Sequence, residues 1–179
     1  MQHSSQLNKT PLSYTWAAYA ACVWAFIFAA MSFYWAAGGK LGLNTQSEQI
    51  LALMDETWFV AIVWITGVMK AVVGLVALAL VRSWGQRFPR WLLLTVAWGA
   101  GTLFTLYGGA NLIVRGVMAL GLIETPESMR SVAARWHLVL WDPWWLLGGV
   151  LFLLAAWQFQ NRTNGYASGF NSLRNFRHD

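Results

Sequence analysis

At 179 residues, with 58% hydrophobic residues, only 11% charged residues and 13 Trp, the chain is too apolar for a soluble domain, in which about a quarter of residues carry charge. Its net charge of +5 comes from single Lys and Arg residues set at the ends of apolar runs, a topology and headgroup pattern that argues against a nucleic-acid partner. Cys22 is the sole cysteine, so neither a disulfide framework nor a Cys-rich metal site can be built from one chain.

These properties predict an all-α polytopic membrane protein: a four-transmembrane-helix bundle with two short interfacial helices on the outer side, in contact with the lipid bilayer. Residues 1–11 read as a polar arm ending in Thr10-Pro11, an N-cap followed by Pro at the first helical position. Span one covers about 12–37, with no formal charge between Lys9 and Lys40, and Gly38-Gly39 closes it. The run is too long for a signal-peptide core and reads as a mature span. Thr45-Gln46-Ser47-Glu48 has the capping-box pattern, predicting a helix from about Gln46 whose Ile50, Leu51, Leu53 and Met54 lie along the membrane surface.

Span two is expected over about 57–81, and Arg82, Arg87, Pro89 and Arg90 form a basic turn into span three, about 91–114. Residues 116–123 are too few to cross and are expected to follow the membrane surface. Thr125-Pro126-Glu127 then repeats the cap, Pro and acid signature before a second interfacial helix with Met129, Val132 and Trp136 near one face. Span four is predicted over about 142–158, completing a membrane domain of 12–160, and 161–179 reads as a poorly ordered polar tail. The plan of a Thr-capped lead-in before an inward helix occurs twice, a hint of a duplicated two-span unit. Most Trp residues mark span ends; Trp24, Trp64 and Trp98 are mid-span and expected to pack between helices.

An even number of spans puts both termini on one side. That side carries Lys9, Arg82, Arg87, Arg90, Arg162, Arg174 and Arg177, against Lys40, Arg115, Arg130 and Arg135 on the other. By the positive-inside rule the termini are cytoplasmic.

Two charges fall inside the spans. Lys70 is near the middle of span two, where a cation costs about 2.5 to 3.5 kcal/mol even on lenient insertion scales. Gly67, Ala71 and Gly74 share its face, so Lys70 should point into the bundle. Asp142 enters on span four above Gly149 and Ala156, and a Lys70–Asp142 ion pair is the natural expectation. Asp142 followed by Pro143 also reads as an N-cap at a hinge between the second interfacial helix and span four. Tyr107, Asn111 and Arg115 follow at i to i+4 steps, and with His137 and Lys70 they could line a polar pocket open to the outside. The competing reading has Asn111 bonded to another helix, Arg115 snorkelling to headgroups and His137 serving as an ordinary interfacial residue.

His3 and His178 lie in the polar arms, no second His stands at i+3 or i+4 to His137, no carboxylate pair lies within a span, and no phosphate loop or nucleophile elbow is present. The sequence therefore supplies no motif for a catalytic residue, cofactor or metal. The segment 19–39, ending Phe33-Tyr34-Trp35-Ala36-Ala37-Gly38-Gly39, and the run Trp136-His137-Leu138-Val139-Leu140-Trp141-Asp142-Pro143-Trp144-Trp145-Leu146-Leu147-Gly148-Gly149 resemble the bacterial domain-of-unknown-function family 3995. That resemblance implies a bacterial four-span membrane protein and carries no activity with it.

The reading is a non-enzymatic protein of a bacterial cytoplasmic membrane whose outward polar cluster is structural or binds a small ligand or partner protein. One alternative is a small transporter or proton-coupled carrier using Lys70 and Asp142. Another is a membrane enzyme acting on a lipid-linked substrate. The small-residue stripes leave room for self-association.

Overall fold

The computed structural model describes residues 15–126 and 129–175, with side chains as far as Thr163; the Thr10-Pro11 cap, His3, His178 and Glu127 lie outside that set. Among the described residues the α-helices follow in order: α1 (Trp16–Ala36), α2 (Glu48–Leu53), α3 (Thr57–Ala79), α4 (Arg90–Ala119), α5 (Val132–Trp136) and α6 (Asp142–Asn175). Four helical segments are long and apolar enough to cross a membrane: Trp16–Ala36, Thr57–Ala79, Arg90–Ala119 and Val132–Thr163. The fold is thus an all-helical membrane bundle, with no strand among the described residues.

The packing is organised by pairs. α1 packs most extensively on α3, α4 on α6, and the two pairs meet mainly where α1 crosses α6. Small residues make α1 the inner helix: Ala17, Ala18, Ala21, Ala25 and Ala29 recur at helical spacing and are buried, so neighbouring backbones can approach closely without a hydrophobic drive between helices. Half of the apolar window of α1 is buried, against 11% for α3. Most of α3 is therefore exposed on the outside of the bundle.

Trp24 fills the centre. Its ring is buried among Phe28, Phe104, Trp144, Trp145 and Phe152, with ring centroids 5.4 to 6.5 Å away, and its indole N–H donates to Trp144 O at 3.0 Å. Gly148 makes this seat: a Cβ there would collide with the indole. The expectation that Trp64 and Trp98 also pack between helices is corrected, since both are exposed. Trp64 touches α1 only at its edge, through a tilted contact with Phe33 at 5.4 Å.

Several boundaries depart from the sequence expectation, each for a local reason. Span three continues to Ala119 instead of ending near 114, so 116–119 is helix rather than surface segment. Its stop is a Schellman motif: Gly121 adopts φ +71, with Gly121 N–H bonded to Met118 O and Leu122 N–H to Val117 O. The first interfacial helix is capped by Ser47, whose hydroxyl accepts from Ile50 N–H, not by Thr45. Thr45 Oγ1 is engaged elsewhere: it donates to Gly42 O at 2.6 Å and accepts from Trp141 Nε1 at 3.0 Å. The second interfacial helix is capped by Ser131, which accepts from Ala134 N–H, while Thr125 donates back to Met118 O.

Span four differs most. The chain does not hinge at Asp142; Val132–Trp136 continues through a π-helical turn, His137–Trp141, into α6. Asp142 has right-handed helical dihedrals, and its N–H bonds five residues back to His137 O, so the N-cap reading is overturned. Pro143 supplies the reason: it lacks an N–H and its ring crowds the preceding turn, which a single π turn relieves without breaking the helix. At the other end α6 runs as helix to Asn175, past the expected end at 158 and through part of the segment read as a poorly ordered tail. Arg162 Nη2 donates to Leu80 O at 2.8 Å, anchoring the first turn beyond the span.

Candidate functional site

Arg115, His137 and Asp142 gather where the end of α4 meets the turn between α5 and α6. Asp142 is wholly buried, at 0% exposure. Its Oδ2 lies 2.9 Å from Arg115 Nε and its Oδ1 3.6 Å from His137 Nδ1. The contacts lack hydrogen-bond alignment, so opposite charge rather than directional bonding joins Arg115 to Asp142, with the His137 ring set beside the carboxylate.

Two local features create this arrangement. Residues five apart in a regular α-helix point about 140° away from each other, so His137 and Asp142 could not meet on one. The wider π turn between them brings them to the same side. On α4, Gly101, Gly108 and Arg115 recur every seven residues along the face that meets α6. A Cβ on Gly108 would lie 2.5 Å from Leu146 N and 2.8 Å from Asp142 O. The bare glycine lets the α4 and α6 backbones touch, and two turns further along the same stripe delivers the Arg115 guanidinium to the Asp142 carboxylate.

Lys70 does not join this cluster, which corrects the expected Lys70–Asp142 pair. Lys70 Nζ donates to Ser32 Oγ at 2.7 Å and sits 4.0 Å from the Phe28 ring centroid. Ser32 passes the bond on, donating to Phe28 O at 3.3 Å. The reason is the order of the helices: α3 packs on α1, and α1 packs on α6. Lys70 does point into the bundle as expected, and it meets α1 first.

Tyr107 and Asn111 are beside the cluster rather than in it. Asn111 Nδ2 donates to Tyr107 O at 2.8 Å, within its own helix rather than to another, and Tyr107 packs edge-on against Trp145 at 5.3 Å. The site gains Met129, whose Sδ accepts from Arg115 Nη1 at 3.7 Å, and Thr45 with Trp141, which tie the first interfacial loop to the π turn. Ser32 was also missed, because its hydroxyl gave no signal in a run of apolar residues. Among the described residues no three His, Cys, Asp or Glu side chains come close enough together to hold a metal ion.

Beside Arg115 a cleft of about 370 Å³ opens between the end of α4, Thr125, Met129 and Arg130, and α5. The arrangement can fix helix geometry and offer positive charge to a ligand; it presents no nucleophile paired with a base. In comparison with known proteins, the family described as "Protein of unknown function (DUF3995)" matches residues 25–152. None of the curated proteins and none of the solved structures compared matches the chain.

Proposed function

The chain belongs to the DUF3995 family, and we propose that it is a non-enzymatic protein of a bacterial cytoplasmic membrane whose outward charged cluster locks α4 to α6 and flanks a ligand-binding cleft. The observation that carries this reading is the full burial of Asp142 between partners on two helices. A carboxylate so enclosed serves as a joint, and what it leaves facing outward is the far side of Arg115.

A proton-coupled carrier using Lys70 and Asp142 needs the two groups to communicate. Their separate partners, Ser32 with Phe28 and Arg115 with His137, favour the structural role. The lipid-linked enzyme reading would have to draw on His137 and Asn111, of which one faces Asp142 and the other is bonded to its own helix. Purified protein in proteoliposomes is expected to show no proton uptake beyond that of empty liposomes under an imposed potential. Uptake that disappears with Asp142→Asn would establish the carrier instead.

The orientation follows from the distribution of Lys and Arg, seven on the side of the termini against four on the other. A C-terminal green fluorescent fusion is expected to be bright and a C-terminal alkaline phosphatase fusion inactive. The reverse pair of results would invert the topology.

A further inference from the structure

Among the described residues, the lining of the cleft beside Arg115 holds three arginines and no carboxylate. Arg115, Arg130 and Arg135 all line it, and they come from α4, from the segment that follows it and from α5. Arg115 is anchored from behind by Asp142 and reaches Met129 in the cleft wall. Arg130 is steadied by its Nε–H bond to Thr125 O at 3.2 Å. Arg135 is exposed. Glu124 is exposed too and is not part of the lining.

Exposed apolar side chains flank these arginines along the chain. Leu120 is 76% exposed, Leu122 71% and Val132 65%, which is costly in water and natural against acyl chains. A segment with outward Leu and Val and a group of Arg between them sits at the boundary of acyl chains and headgroups. Guanidinium groups at that depth meet phosphate, whose oxygens match their planar fork of donors.

We propose that this cleft is a binding site for a phosphate-bearing anion, held between Arg130 and Arg135 with Arg115 behind, the anion being either the headgroup of an acidic lipid or a soluble phosphate. The proposal deepens the reading of this cleft as a ligand site. It does not depend on which side of the membrane the cleft faces, so an inverted topology leaves it standing.

The test titrates full-length protein, in a neutral detergent, with dioctanoyl phosphatidylglycerol, dioctanoyl phosphatidylcholine and inorganic phosphate, following heat of binding. Phosphatidylglycerol is expected to bind more tightly than phosphatidylcholine, and Arg130→Gln with Arg135→Gln to weaken it at least about tenfold. Competition by inorganic phosphate would identify a soluble ligand; lack of competition would identify the lipid. Both substituted residues are exposed, and an unchanged melting curve shows that the variant is folded. Wild-type binding supplies a variant-free check: it should weaken as salt is raised to roughly 0.5 M, where the screening length shrinks to a few ångströms. Equal affinity of folded wild type and variant, salt-insensitive binding, or no binding of either phosphatidylglycerol or phosphate would overturn the proposal.

Discussion

Asp142→Asn is expected to destabilise the bundle by about 3–5 kcal/mol, the usual consequence of removing one member of a buried ion pair and leaving the other charged. Arg115, its side chain only 18% exposed, would then hold its guanidinium with no counter-charge while the π turn also holds His137 there. In a thermal melt of purified protein this corresponds to a fall on the order of 10 °C. The double change Arg115→Met with Asp142→Leu should be markedly milder than Asp142→Leu alone, because no charge is stranded when both go. Lys70→Met provides the contrast. Its loss removes one hydrogen bond and one ring contact together with an expensive half-buried cation within the span, so a net change within about 1 kcal/mol is expected. Combined with Asp142→Leu, its effect should simply add. Rescue of Asp142→Leu by Lys70→Met, or none by Arg115→Met, would restore the pairing that sequence alone suggested.

The contrast shows which information the sequence carried. Hydrophobic run lengths are a property of single helices, so the four spans were legible, and so was the inward direction of Lys70 from Gly67 and Gly74. The choice of partner depends on which helices are neighbours, and nothing in the runs says that α1 stands between α3 and α6. The signal for Arg115 was nevertheless present. Asp142, Gly149 and Ala156 lie seven residues apart on one stripe of span four, and α4 holds the matching series Gly101, Gly108 and Arg115. Arg115 was instead grouped with Tyr107 and Asn111 by steps of four, a spacing that drifts about 40° around the axis per step. The Asp142-Pro143 pair misled in a different way. Its local grammar is that of a helix start, and only the accommodating π turn, a rare element with no strong sequence signature, turns the same residues into a continuous span.

Gly108→Ala is expected to cost about 3 kcal/mol or more, near or beyond the upper end of ordinary overpacking, because the new Cβ would meet backbone rather than a side chain that can turn aside. Both obstacles, Leu146 N at 2.5 Å and Asp142 O at 2.8 Å, belong to α6, so relief requires α6 to move away from α4. That motion draws Asp142 from Arg115, and the packing loss and the electrostatic loss then occur together. Gly99 and Gly116 provide controls on the same helix, since a Cβ at either position meets nothing within 4 Å. There the change to Ala should be neutral or stabilising by up to about 1 kcal/mol, the ordinary helix-propensity gain. Melting curves of the three variants, measured in one detergent, distinguish a contact effect from a general response to added methyl groups. A Gly108→Ala protein as stable as Gly99→Ala would mean that α4 and α6 are not in backbone contact at this level. The glycine stripe would then lose its role in carrying Arg115 to Asp142.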